Sequence, residues 1–479
     1  MKIRSAIVKY ASALKALRAT RADFDLPDMP TSAEALSMLA LSHSGAATML
    51  WVHASEQSQE QAHRDLLTLR ERSVPQVAYF PQCDALSDGA TEEDPETSGY
   101  RLRVLQQCLG TEQKGPQIIV TCIQALLQTC PAPEALRHAT VTVEVDGNVD
   151  LEVLTQRLMD SGYAFETEVL SKGQAAIKGG LLDVWPPTDF WPMRIELFGS
   201  TVESLRRFDP TTQRSVEKCA AADIPPVHDT DPTAPPASLL DYLTDETTVV
   251  WSHPGAIDTQ AHSHEALSGD VVASGAEILF TTLADTIRKT PTLHEVRIAP
   301  DDIVNLPDDM PQFTPIPGAV EATGDSLAAT RAEQARAGLL STLYARIRQR
   351  HHVALFLDTE GSMTHFEETL SRPDQKPIHT QEGILTEGCD CPALRLVVVA
   401  ESDLYGRRKT LQRRYDPDAS RRRPQRHSGA RITDFTDMEP GDLVVHIDHG
   451  IGRYEGVQEI AFNGEQQEVL SIAYADDAK

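Results

Sequence analysis

Residues 443–456, LVVHIDHGIGRYEG, constrain the fold more than any other stretch. Leu443, Val445 and Ile447 alternate with Val444, His446 and Asp448, the period of two that a strand with one buried face requires. Gly450 and Gly452 supply the positive φ that a tight reversal needs. Residues 469–479, VLSIAYADDAK, alternate again. The pattern predicts strand, glycine turn, strand and a further strand, with the chain ending inside the unit at Lys479.

At 479 residues the chain has room for three to four domains, at ~100–200 residues each. Its net charge of −27 argues against wholesale binding to phosphate backbones, which needs a basic surface. One stretch departs from that balance. Residues 406–426 hold nine Lys/Arg and two Asp, a net of +7 that leaves −34 for the rest. Contact with DNA is therefore expected in that stretch, at Arg407, Arg408, Arg421, Arg422 and Arg423, or else the stretch is a solvated linker. Seven cysteines, an odd number in a long chain, read as reduced thiols of a cytoplasmic protein rather than a disulfide framework. Lys9 and Lys15 break the apolar core that a signal peptide requires, and Ile3, Ile7, Ala11 and Leu14 instead repeat at helical spacing. No apolar run approaches the ~20 residues of a membrane span.

Helix and strand patterns alternate from Glu34 to about Pro131, which predicts parallel α/β structure over 1–133. Residues 134–221 read as an α+β unit. Asp150 caps a helix there, and the short strands FETEVL (165–170), GGLLDVW, MRIELFG (193–199) and TVESLRRFD follow it. Pro225 to Pro236 reads as a linker. The strands TTVVWSH and AEILFTT (276–282) return to the first layer over 237–306. A smaller α/β unit is expected over 325–405, a basic linker over 406–434 and the docking unit over 435–479.

A phosphate-binding loop needs GxxxxGK[ST], in which glycine amides cradle phosphates and lysine reaches the terminal one. Gly-Lys occurs nowhere in the chain, and the turn expected to hold such a loop, Ser42 to Thr48, has one glycine and no lysine. ATP hydrolysis is not expected, and no cofactor is. His446, Asp448 and His449 read as packing and turn residues, and Cys389-Asp390-Cys391 lacks the second pair a zinc site needs, so no metal is expected. MRIELFG is different. Met193, Ile195 and Leu197 share one face and Arg194, Glu196 and Phe198 the other. An arginine and an aromatic on a solvated face suit a protein–protein anchor. A helix covering Phe198 would equally make both faces internal.

Several segments together resemble one family, the bacterial transcription-repair coupling factors (the Mfd family). KGGLLDVWPP (178–187) with MRIELFGSTVESLRRFDPTTQRS (193–215) is similar to the module these proteins share with UvrB. GDLVVHIDHGIGRYEGV (441–457) resembles their CarD-like RNA-polymerase-interacting domain, and IIVTCIQALLQTCPAP (118–133) and VVVAESDLYGRR (397–408) match in the same order. The resemblance implies a UvrB-like α/β domain over 1–133 and 237–306 that has lost its ATP site. It implies an inserted UvrA-binding module over 134–221, and a truncated CarD/Tudor-like β-barrel that needs strands after Lys479 to close. It further implies UvrA contacts at Arg194, Phe198 and Lys178, the last being arginine in the family pattern, and contact with the RNA polymerase β subunit at Ile460. Phe198→Ala and Arg194→Glu are both expected to weaken UvrA binding with little change in melting temperature. Family members continue into an ATP-dependent DNA translocase that these residues do not match. A scaffold recruiting UvrA to stalled polymerase is thus expected. A stand-alone CarD-like regulator and a nucleotide-binding helicase with an atypical loop are the rivals.

Overall fold

A computed structural model of the protein describes residues 2–21, 23–70, 75–83, 95–110, 117–229, 237–273, 294–299, 310–316, 328–369, 378–406, 443–446, 450–462 and 465–473. It is a mixed α/β chain with several sheets, divided into two units between Tyr415 and Asp416.

The central sheet of the first unit is six-stranded and parallel. Its strands lie in the order Phe24–Leu26, His294–Ile298, Thr248–Ser252, Thr48–His53, Gln117–Cys122 and Gln76–Phe80. Thr48–His53 is buried at every position, as expected where helices cover both faces. The helix Thr31–His43 runs into this strand and is itself buried along most of its length. At the amino terminus, the helix Lys2–Thr20 buries Ile7, Ala11 and Leu14 along one side. The expected strand at 276–282 lies outside the described residues.

The chain leaves this sheet after the helix Pro133–Ala139 and enters a second, six-stranded one. Its order is Ser215–Cys219, Thr201–Phe208, Met193–Phe198, Leu181–Val184, Gln174–Lys178, Ala164–Phe165. The helix Leu151–Asp160, capped by the Asp150 carboxylate on the Glu152 and Val153 amides, closes one face with Leu154 and Leu158. The strand expected over 165–170 is only Ala164–Phe165. Beyond it the chain turns, and the Gln174 side-chain oxygen accepts from the Leu170 and Ser171 amides in place of a ladder partner. Val141–Glu144 pairs with Ala221–Ile224, bringing entry and exit together.

Residues 225–229 are not the free linker their composition suggests. Val227 is buried in this domain's core, and the fully buried Asp229 carboxylate forms an ion pair with Arg101, on the helix Pro95–Leu109 of the first sheet. Arg101 also donates to the carbonyls of Pro81 and Thr129 and to the Gln128 side chain, and stacks over Phe80.

A third sheet carries Thr314–Pro315, Cys389–Cys391, Leu396–Val399, His352–Leu357 and His379–Glu382 in that order, with the helix Ala328–Arg348 packed on it. It shares one core with the first sheet: Met49 and Trp51 belong to the same apolar cluster as Ala354, Phe356 and Val398. The seam is polar at its edge, where Thr386 donates to Asp65 through both its amide (2.8 Å) and its hydroxyl (3.0 Å).

In the second unit, Leu443–His446, Gly450–Phe462 and Glu465–Ala473 form an antiparallel sheet. Gly450 and Gly452 do not make the reversal. They lie in the long strand, opposite His446 and Val444, and residues 447–449 fall outside the described set. No helix among the described residues is long and apolar enough to cross a membrane.

Candidate protein-docking site

In parallel α/β sheets, ligands bind at the carboxyl ends of strands, where neighbouring connections diverge. That point here lies between Thr48–His53 and Thr248–Ser252, because the next strands after each lie on opposite sides. The expected phosphate-loop position was misplaced. Ser42 to Thr48 feeds the amino end of its strand, whereas a strand–loop–helix arrangement occurs at Pro27 to Pro30, after Phe24–Leu26 and before Thr31–His43. That loop, Pro27-Asp28-Met29-Pro30, contains no glycine or lysine, and two of its four residues lack an amide hydrogen.

The crevice is filled from within. The Thr31 amide, at the helix start where a phosphate would sit, donates to the Glu387 carboxylate at 3.0 Å. The Trp51 indole donates to Ser252 Oγ at 2.9 Å, and Ser252 donates to Glu34, which is 5% exposed. Glu34 also holds His253 and raises its pKa. Burial, with a smaller contribution from His253, pushes His53 down to about 3, so it is neutral. Among the described residues no cluster of His, Cys, Asp or Glu could hold a metal ion.

The second sheet is open by contrast. Its helix covers the face of Met193 and Ile195, both buried, and leaves the face of Arg194, Glu196 and Phe198 outward. Of the two readings of Phe198, the covered one is excluded: its side chain is 81% exposed. Two tight hairpins meet at this end of the sheet. Lys178 pairs with Leu181 and Phe198 with Thr201, each across two residues, and the Leu197 amide donates to the Gly180 carbonyl at 2.9 Å. Gly199, at φ +61°, makes the turn that projects Phe198, and a Cβ on Gly180 would stand 2.9 Å from the Leu197 carbonyl.

The three residues singled out from the sequence share this region but differ in state. Lys178 is exposed and pairs loosely with Glu168 at 3.1 Å. Arg194 is held by a bidentate pair to Asp183 (2.7 Å for both contacts), by Gln213 at 2.8 Å and over the Phe208 ring at 4.4 Å. Asp183 is 8% exposed, and its hydrogen bonds raise the Arg194 pKa. Reversing the charge at Arg194 would set two carboxylates together, so the expectation of an unchanged melting temperature does not hold for Arg194→Glu.

Sequence reasoning missed two features. Glu196 pairs with Arg206 and accepts from Ser204, so it is a structural partner of the next strand. Six of the seven large apolar residues left exposed among the described residues, Val153, Met159, Leu170, Ile177, Phe198 and Val216, lie in this one domain. These positions are scattered over one helix, one loop and three strands, so they give no such signal until the domain is assembled.

Ile460 lies on the long strand of the second unit, opposite Gln467. Arg407, Arg408, Arg421, Arg422 and Arg423 fall outside the described residues, as do Asp448 and His449.

Residues 141–229 match the UvrB interaction domain and residues 438–479 the CarD-like/TRCF RID domain. Similar curated proteins include the transcription-repair-coupling factor of Bacillus subtilis (strain 168), 24% identical with 86% of this chain and 40% of that protein covered. That of Staphylococcus aureus (strain MRSA252) is 21% identical, with 84% and 39% covered. The chain therefore spans about two fifths of the length of the curated relatives it matches. These matches, in order along the chain, make it a relative of the transcription-repair-coupling factors that carries a UvrB interaction domain and a CarD-like/TRCF RID domain.

Proposed function

We propose that the chain is the N-terminal scaffold of a cytoplasmic transcription-repair coupling factor. It recruits UvrA through the outer face of the UvrB interaction domain, with Phe198 as anchor and Arg194 and Lys178 around it. The CarD-like/TRCF RID strands contact the RNA polymerase β subunit, Ile460 among them, as part of a barrel. The first sheet acts as a UvrB-like frame without ATP chemistry, and translocation along DNA belongs to motor domains of the whole protein. The basic stretch 406–426 contributes weak, salt-dependent DNA contact.

One observation supports the docking role above the others: Phe198 is 81% exposed at a hairpin tip, in the domain that holds six of the seven exposed large apolar side chains among the described residues. Exposed aromatics next to arginine are typical of interface hot spots, where truncation costs about 2 kcal/mol or more. Phe198→Ala is expected to weaken binding of purified UvrA more than tenfold, by calorimetric titration, with the melting temperature unchanged. Unchanged affinity would sink the docking role of this face. The DNA contact has its own test: serine at Arg421, Arg422 and Arg423 should flatten the salt dependence of DNA binding.

A further inference from the structure

The helix Ala328–Arg348 enters His352–Leu357 through a tight turn. In it the Arg350 amide donates to the Ile347 carbonyl and the His351 amide to that of Arg346. This closure puts Arg350 in the left-handed region, at φ +64°, a place that glycine or asparagine usually fills. The turn Pro392–Leu394 ends the same way on Arg395, at φ +50°. The His352 amide donates to the Arg395 carbonyl at 2.8 Å, so both turns lie side by side at the amino ends of two paired strands of the third sheet. At the other end of Leu396–Val399, by contrast, the helix Glu401–Tyr405 stops on a glycine, Gly406.

Arg348, Arg350 and Arg395 are exposed, and none has an ion pair among the described residues. Lys9 is exposed as well, and its amine donates to the Ala393 carbonyl at 2.7 Å, beside Arg395. Carboxylates on the packed elements do not answer these charges. Asp390 is buried against Arg346, and Glu333 stands about four turns back along its helix. Glu367 and Glu368 belong to the helix Glu360–Thr369, where the Thr380 hydroxyl of the outermost strand donates to Glu367 at 3.3 Å. The helix Lys2–Thr20 contains no Asp or Glu.

We propose that this end of the third sheet, with Lys9, Arg348, Arg350 and Arg395, grips the phosphate backbone of duplex DNA. The contact is separate from the one proposed for 406–426 and independent of UvrA docking. Three of the four cations are arginines, whose planar fork fits phosphate oxygens. Backbone strain at two adjacent arginines points to a use for their side chains. A protein partner would need an apolar core to pack on. Six of the seven exposed large apolar residues lie in the second sheet's domain, and the seventh, Val8, stands alone beside Lys9.

Glycine relieves the strain and removes the cation together, so Arg350→Gly combined with Arg395→Gly separates fold from contact. Binding to a labelled duplex is followed by fluorescence anisotropy over a salt series. The double variant should bind about tenfold more weakly at low salt and lose about two from the salt slope, roughly one for each phosphate contact. Its melting temperature should hold or rise. Arg348→Gln, outside both strained turns, should lower the slope by about one. If the glycine variant melts lower, Arg348→Gln decides by that slope. Wild-type slopes in both variants, or no DNA binding by the unmodified chain, would overturn the inference. So would a loss confined to the serine variant of Arg421, Arg422 and Arg423. Weaker binding of UvrA or polymerase with DNA binding unchanged would make this end a protein contact and overturn it as well.

Discussion

At the carboxyl ends of Thr48–His53 and Thr248–Ser252, Glu387 occupies the helix amide at Thr31, while Trp51, Ser252 and Glu34 satisfy one another. On the outer face of Met193–Phe198, by contrast, an aromatic stands in solvent beside a row of cations. A ligand site needs polar groups whose partners arrive from outside. The first region has supplied its own partners and become a frame. The second leaves an aromatic and several charged groups facing solvent. The two regions thus differ in one kind of observation, whether side chains find their partners inside the fold, and the docking role proposed above rests on the answer in the second.

The largest expected effect concerns the joint between the two regions. Arg101 and Asp229 are both fully buried, and removing one partner of such a pair costs about 3–5 kcal/mol. Asp229→Ala should lower the unfolding free energy by that amount in denaturant titrations. A loss below 1 kcal/mol would mean that the first sheet and the UvrB interaction domain are not locked through this pair. Next comes the contrast within the docking face. Arg194→Glu should destabilise by about 2–3 kcal/mol, as it leaves Asp183 beside a like charge, whereas Phe198→Ala should leave the melting temperature in place. Equal stability of the two variants would erase the distinction between a fixed arginine and a free anchor.

A smaller effect is expected at the seam with the third sheet. Burial raises the Asp65 carboxyl to about 8. The folded chain therefore binds a proton that the unfolded chain releases in the usual carboxylate range, and stability falls as pH rises from about 4 to about 8. Asp65→Asn keeps an oxygen for Thr386 and should flatten that decline in melting temperature. An unchanged slope would place the titration elsewhere. Smallest of all is the response to nucleotide: ATP with magnesium should leave the melting temperature unmoved, and a clear rise would show the crevice still open.

The outward face of MRIELFG was legible because strand alternation is local: Met193 and Ile195 in, Arg194, Glu196 and Phe198 out. The missing Gly-Lys was legible for the same reason. Its proper place was not, since Ser42 to Thr48 and Pro27 to Pro30 differ only in which end of a strand they join. Residues 225–229 read as linker because proline-rich composition carries no sign of an arginine 128 positions away. Gly450 and Gly452 read as a turn because glycine permits reversal without requiring it.

By itself the sequence determined the local periods, the absence of a phosphate loop and the similarity of its two matched domains, because each is written in neighbouring residues. Only the tertiary structure decided that Glu387 caps a helix 356 positions away, that Arg194 is held while Phe198 is free, and that Arg194, Arg206 and Lys218 stand in one row. Those relations depend on sheet order and register. Many registers satisfy the same alternation, and the one adopted is selected by the packing of the whole core.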